Sequence, residues 1–263
     1  MRNIIVTGIP RTGTTLACAL IDSMPDCVCL NEPHWQVSAQ LGGDAQALAF
    51  WLQEDFARLR GHLLAEHPVP DRRNDDGRAI TNFFRHGKPA DDHSMTLFIR
   101  AGLTPQFTLA MKHNALYLAA LPYLARMSDF TVIAIIRHPV ATLASWRRVA
   151  LPVNQGRMPH AAIYWPEVKA ITDSHEDALV KQVKLYDTIC ARLHELKGTL
   201  HILPYETMVE KPEKLCEYLQ HDGPVDNTLI EHEITAVTQQ EQHMILEALH
   251  KHGSHWQKLY PHI

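Results

Sequence analysis

Asn3-Ile4-Ile5-Val6-Thr7-Gly8-Ile9-Pro10-Arg11-Thr12-Gly13-Thr14-Thr15-Leu16 joins a β-branched run, a turn with two glycines and the start of a helical pattern. That order places backbone N–H groups at a helix N-terminus, where the helix dipole also favours negative charge. The turn is an anion cradle by context, and Pro10, Arg11, Thr12, Gly13, Thr14 and Thr15 are its candidate binding residues. Against the triphosphate loop GxxxxGK[ST], Gly8, Gly13 and Thr15 fit, but Thr14 stands where a lysine reaches the β- and γ-phosphates. Arg11, within the turn, supplies the positive charge instead.

Outward from this turn, strand and helix patterns alternate. Helical spacing covers residues 13–24 through Leu16, Leu20 and Ile21, and a short apolar piece, Cys27-Val28-Cys29-Leu30, ends at Asn31-Glu32-Pro33. Residues 45–65 read as a helix and 71–77 as a polar loop or insertion. A buried strand is expected at 107–111, then a helix through Leu116, Leu121 and Leu124. Residues 131–136 are almost continuously apolar, which indicates a strand covered on both faces. Helical spacing resumes over 140–149. Residues 150–173, with three prolines and Trp165, read as a mobile or substrate-facing segment. Residues 175–197 form an amphipathic helix, 200–203 a short strand, and the part after Pro212 is mainly helical. Alternation of this kind specifies an α/β fold, a central parallel sheet flanked by helices with a P-loop-like nucleotide-binding architecture.

The strand at 131–136 runs into Arg137 rather than the Asp that would support Mg²⁺ in a P-loop enzyme. Triphosphate and Mg²⁺ chemistry is therefore disfavoured. Ser145 follows Arg137 by eight residues, about two turns along the next helix, so both side chains can face one phosphate. Carboxyl ends of neighbouring strands share a crevice in such sheets. Two phosphate sites side by side suggest a nucleotide phosphorylated at two positions.

Composition limits the alternatives. The 263 residues are 46% hydrophobic and 21% charged, enough apolar surface for a real core, and are read as a single α/β domain, 1–263. The 25 basic and 29 acidic side chains leave a formal charge of −4, which argues against a duplex nucleic-acid partner. No apolar stretch approaches the ~20 residues of a membrane span, and Met1-Arg2-Asn3 leads straight into a strand, so the chain reads as cytoplasmic. Five cysteines without a CxxC pair read as buried free thiols. The 18 histidines form no HxxxH or HExxH pattern, and no metal is inferred from them.

Taken together, these residues resemble the sulfotransferase superfamily, whose members use 3′-phosphoadenosine 5′-phosphosulfate. Residues 8–16 resemble its 5′-phosphosulfate loop. Ile136-Arg137-His138-Pro139 with Ser145-Trp146 resembles its 3′-phosphate motif, Arg-Asp-Pro with a serine eight residues after the Arg. Leu203-Pro204-Tyr205-Glu206 with Pro212 is similar to its Tyr-Glu-Asp segment. Asn31-Glu32-Pro33-His34-Trp35 looks like the Glu-Pro segment of carbohydrate and tyrosylprotein sulfotransferases, and Met111-Lys112-His113-Asn114 resembles a Lys-containing segment before the 3′-phosphate strand. His138 and Thr207 depart from the pattern where it has Asp, Arg11 stands where many cytosolic members have Lys, and residues 251–256 only faintly match the family's basic-Gly segment.

The resemblance implies metal-independent, in-line sulfuryl transfer from that co-substrate to an acceptor hydroxyl, a carbohydrate being favoured or otherwise a small molecule. Such transfer needs cations and N–H donors around developing negative charge. Arg11 and the Thr12–Thr15 backbone and hydroxyls are expected at the 5′-phosphosulfate, Lys112 near the sulfuryl oxygens, and Arg137, Ser145 and Tyr205 at the nucleotide. Glu32 is the expected general base, with His34 and His113 behind it. Trp35 and Trp165 are candidates for stacking on an acceptor. A P-loop small-molecule kinase and a non-catalytic nucleotide-binding relative remain alternatives. Acceptor identity and oligomeric state stay open.

Overall fold

The computed structural model describes residues 2–34, 41–85, 88–89, 95–230 and 236–262. Trp35 lies outside them. The first half of the chain forms β1 (Arg2–Gly8), α1 (Thr14–Asp22), β2 (Cys27–Asn31), α2 (Ala45–Leu64) and four short strands, β3 (Val69–Asp71), β4 (Phe84–Arg85), β5 (Lys88–Pro89) and β6 (Thr96–Phe98). Next come β7 (Thr108–Lys112), α3 (Asn114–Leu124), β8 (Phe130–Ile136) and α4 (Pro139–Arg148). Then follow α5 (Pro159–Ala162), α6 (Pro166–Asp173), α7 (Ala178–Glu195), β9 (His201–Pro204), α8 (Tyr205–Glu210), α9 (Glu213–Leu219), α10 (Gln239–His252) and α11 (Trp256–Leu259).

Five strands form one sheet in the order β2-β7-β1-β8-β9, every pairing parallel. From β1 the chain moves out to the edge strand β2, returns through β7, then crosses to β8 on the other side of β1. Reversal of direction beside β1 opens a crevice at the carboxyl ends of the strands. Side chains alternate between faces, so Ile5, Val28, Met111 and Val132 pack under α2, α3, α4 and α7, whereas Ile4, Val6, Cys29 and Ile133 pack under α1, α8 and α9. Each such side chain contributes roughly 1.5–3 kcal/mol by leaving water.

Residues 71–77 are not simply a polar loop. Arg73 donates two hydrogen bonds to Asp22, at 2.8 and 2.9 Å, and one to Asp71 at 2.7 Å, with its guanidinium 3.5 Å from the Phe98 ring centre. All three charged residues are buried. They clamp the β3–β6 pair to α1 and, through Asp71 accepting the Asn31 N–H, to the edge strand β2. Burial raises the Asp71 carboxyl to about 7 even though Arg73 and two backbone N–H groups oppose the shift. The clamp was not legible in sequence because the bidentate partner of Arg73 lies on a distant helix.

Residues 150–173 are likewise folded against the core. Pro152, Pro159 and Pro166 begin successive short helical segments, where the missing N–H has no cost. Trp165 is buried beneath Arg192, whose guanidinium lies 3.3 Å from its ring centre and donates to the carbonyls of Leu118 and Ala119. Burial lowers Arg192 to about 10. Trp165 thus belongs to the packing of α3, α6 and α7 and offers no ring face to an acceptor. The cysteines are free; four are buried and Cys216 is half-buried, and burial raises their thiols. Among the described residues no helix is long and apolar enough to cross a membrane.

Candidate anion-binding and transfer site

The turn after β1 is held against β8 and by contacts within itself. Gly8 lies against β8 with φ +143°, and a Cβ there would sit 2.1 Å from the Ile135 carbonyl oxygen. That oxygen accepts the Ile9 N–H at 3.2 Å and the Thr12 hydroxyl at 2.8 Å, while Thr12 Oγ1 also lies 2.7 Å from the Ile9 carbonyl. Thr12 N–H points back to the same Ile9 oxygen at 3.3 Å. Both donors of Thr12 are therefore engaged inside the turn, and its role is to shape the loop. From the other side, Trp146 Nε1 donates to the Pro10 carbonyl at 2.7 Å.

Gly13 takes φ +91° at the N-cap of α1, a position where a side-chain oxygen often satisfies the first helical N–H groups; no side chain does so here. A Cβ on Gly13 would lie 2.4 Å from Cδ2 of Tyr205, so the ring packs directly on the turn. Thr14 is buried, and Thr15 is half-buried at the helix start. Arg11 itself has φ +67°. Its Nε donates to Ser145 Oγ at 3.4 Å and its Nη1 to Asn82 Oδ1 at 3.3 Å.

The far side of the crevice is built around β8. The Arg137 guanidinium lies 4.8 Å from the Tyr205 ring centre. Its backbone carbonyl accepts the Tyr186 hydroxyl at 2.9 Å, which fixes the strand end against α7. Ser145 is buried on α4. The sequence spacing placed Arg137 and Ser145 together on one phosphate; the structure joins Ser145 to Arg11 and Arg137 to Tyr205. Glu206 accepts the His138 N–H at 2.9 Å and the Tyr260 hydroxyl at 3.2 Å. Its carboxylate fastens the C-terminal segment to the start of α4, a link sequence reading did not find. Residues 251–256 are held from elsewhere as well: Asp187 accepts the N–H groups of Ser254, His255 and Trp256.

At the near edge, the Glu32 N–H donates to the Lys112 carbonyl at 2.8 Å, continuing the β2–β7 ladder one residue past β2. Glu32 then turns with φ +55°. Lys112 Nζ donates to Glu32 Oε1 at 2.8 Å, with the lysine side chain 4% and the glutamate side chain 28% exposed. Burial favours the neutral Glu32 carboxyl, but the Lys112 charge and hydrogen bond outweigh it and hold the group at about 2. The carboxylate is the more exposed member of the pair.

The two histidines behind Glu32 are structural. His113 Nδ1 accepts the Leu116 N–H at 3.2 Å and so caps α3, and burial lowers its imidazolium to about 3. With Nδ1 accepting, the neutral ring carries its proton on Nε2 and has no lone pair left for a substrate proton. His34 is buried between Tyr117 and Asp55: its Nε2 lies 2.8 Å from the Tyr117 hydroxyl, and its Nδ1 is 2.6 Å from Asp55, an electrostatic contact rather than an aligned hydrogen bond.

Across the sheet, the strand ends therefore present Glu32, Lys112, the 8–15 turn, Arg137 and Tyr205 in the spatial order of β2, β7, β1, β8 and β9. A family model described as the sulfotransferase family matches residues 3–222, a span that includes all five. The chain belongs to the sulfotransferase family. The fold of this sulfotransferase is also that of a sulfotransferase from Alicyclobacillus acidocaldarius, which is 13% identical with a TM-score of 0.50 over 98% of this chain and 95% of that one. A sulfotransferase from Mycobacterium avium aligns at 16% identity with a TM-score of 0.39, over 96% of this chain and 69% of that one. No curated protein sequence matches the chain.

Proposed function

We propose that this sulfotransferase moves a sulfuryl group from 3′-phosphoadenosine 5′-phosphosulfate to an acceptor hydroxyl. Support comes from the donor set: one uncapped helix start and three cations, Arg11, Lys112 and Arg137, are gathered at the carboxyl ends of adjacent strands. That chemistry suits a ligand with separated anionic groups. The N–H groups of Gly13, Thr14 and Thr15 with Arg11 would hold the 5′-phosphosulfate. Arg137, over the Tyr205 ring, and Ser145 would meet the 3′-phosphate. The observation that carries the reading is the direct Arg11–Ser145 contact, because it makes the two motifs walls of a single crevice.

The bound co-substrate supplies an activated sulfuryl group, and the protein supplies charge and position. Arg11 and the helix N-terminus stabilise negative charge accumulating on the bridging oxygen as the sulfur–oxygen bond breaks. Lys112 turns its ammonium from Glu32 towards the sulfuryl oxygens. Released from its partner, the Glu32 carboxylate becomes a stronger base and takes the acceptor hydroxyl proton as the new oxygen–sulfur bond forms. Adenosine 3′,5′-bisphosphate is the other product. Base assistance of this kind is worth 10²–10⁴-fold. A carbohydrate hydroxyl is the favoured acceptor, on the similarity of Glu32-Pro33-His34 to carbohydrate-type members.

Calorimetric titration with adenosine 3′,5′-bisphosphate in chelator tests the reading. Saturable binding that Arg11→Ala and Arg137→Ala each weaken at least tenfold is expected. Absence of uptake by the unaltered protein, or preferential stabilisation by ATP with Mg²⁺, would overturn it.

A further inference from the structure

Asn82-Phe83-Phe84 leads into β4. Sequence patterning gives this segment no role, yet it meets both cations on the sulfuryl side. The Phe84 ring centre lies 5.1 Å from the Arg11 guanidinium carbon. That of Phe83 lies 5.3 Å from Lys112 Nζ and 5.8 Å from the guanidinium carbon of Arg72. Asn82 Oδ1 accepts both Arg11 Nη1 at 3.3 Å and the Phe84 N–H at 3.1 Å, so one amide ties the local turn to the cation beneath the second ring.

Long cationic side chains have many rotamers, and an anion that must first immobilise them binds less tightly. A ring face attracts a cation through its quadrupole and leaves the outward N–H groups available to an incoming oxyanion. The two rings are half-buried, so this attraction is not fully screened by water.

We propose that Phe84 and Phe83 are positioning residues of the transfer site, the first aiming Arg11 and the second aiming Lys112 at the co-substrate. This rests on the donor reading above. It adds a division of labour: Arg11 meets the phosphate common to donor and bisphosphate product, whereas Lys112 meets the sulfuryl group that only the donor carries.

The test is calorimetry with 3′-phosphoadenosine 5′-phosphosulfate and with adenosine 3′,5′-bisphosphate, without acceptor, on Phe→Leu and Phe→Tyr variants at each position. Thermal melts select the variants that keep the fold. Phe84→Leu is expected to weaken both nucleotides about 3- to 10-fold, and Phe83→Leu the donor by that factor with the bisphosphate unchanged. Tyrosine at either position should restore wild-type affinity, which a volume effect would not require. Leucine variants binding both nucleotides like wild type, tyrosine variants as weak as leucine, or Phe83→Leu weakening both nucleotides equally would each overturn the inference while leaving the donor reading intact. Failure of the unaltered protein to bind either nucleotide would overturn both.

Discussion

Lys112 and Glu32 form an ion pair whose two members are unequally shielded: the lysine side chain is almost wholly enclosed and the glutamate side chain is partly exposed. Removing one partner from a buried pair costs most when the charge left behind cannot reach water. Glu32→Gln strands the enclosed ammonium, whereas Lys112→Met leaves a carboxylate that water can reach. Urea unfolding at neutral pH should therefore show Glu32→Gln to be the more destabilised, by about 3 kcal/mol against about 1 kcal/mol for Lys112→Met. Equal losses would mean that water reaches both groups.

The same pair sets a pH dependence. The folded Glu32 carboxyl sits at about 2, below its ordinary 4.5, so the ionised form is favoured by folding. Its stabilisation is complete above about pH 4.5 and fades as pH falls towards 2. Since the carboxylate is partly solvated, roughly 1–2 kcal/mol is expected rather than the full value of the shift. The gap in urea midpoint between wild type and Glu32→Gln should be constant from pH 6 to 8 and shrink steadily from pH 4 to 3. A gap that widens in acid would reverse the assigned sign.

Much of this was legible in sequence because it depends on local pattern. The β-branched run at residues 3–7, the glycines at 8 and 13 and the almost continuously apolar stretch at 131–136 each report their own backbone environment, and the observed β1, α1 and β8 follow them. Contacts joining distant residues were not legible. Arg73 looks like a loop charge until Asp22 is brought beside it, and Trp165 looks like a stacking platform until Arg192 covers it. Thr12 reads as a phosphate donor, yet the nearness of the Ile135 carbonyl binds its hydroxyl inside the turn. Phe83 and Phe84 carry no periodic signal, and only the fold places them over Lys112 and Arg11.

Gly13 faces two constraints that one substitution would violate. Alanine there must adopt φ +91°, which L side chains rarely do, and must push the Tyr205 ring away from a contact of 2.4 Å. Tyr205 also carries the Arg137 guanidinium, so the displacement reaches the residues proposed to meet the 3′-phosphate. Gly13→Ala should lower stability by about 1–3 kcal/mol and weaken bisphosphate binding more than tenfold. Crystallography of the variant should find the tyrosine ring moved. An unaltered ring with unaltered binding would separate the turn from Tyr205.

Arg73 neutralises two buried carboxylates, Asp22 and Asp71, the second of which accepts the N–H of Asn31 beside Glu32. Arg73→Met would leave both uncompensated, and about 3–5 kcal/mol of stability should be lost. The clamp secures the excursion between β3 and β6 that carries Phe84 to Arg11, so an Arg73→Met protein that remains folded at low temperature should bind the bisphosphate about 3- to 10-fold more weakly. Unchanged affinity in folded protein would show that Phe84 keeps its place on Arg11 without the clamp.

Trp146 offers the cleanest separation of loop position from packing. Its indole N–H donates to the Pro10 carbonyl, and its ring is fully enclosed beside Tyr186. Phenylalanine keeps most of the apolar contact but has no donor, so Trp146→Phe loses one hydrogen bond, about 1 kcal/mol, and some ring volume. Leucine loses the aromatic packing as well, so its melting midpoint should fall further. If the hydrogen bond serves to hold the turn in its anion-ready shape, both variants should bind bisphosphate several-fold more weakly, and to a similar extent, although their stabilities differ. Affinity that instead follows stability through the series would assign Trp146 to the core alone, and the position of the turn would then rest on Thr12 and the Ile135 carbonyl.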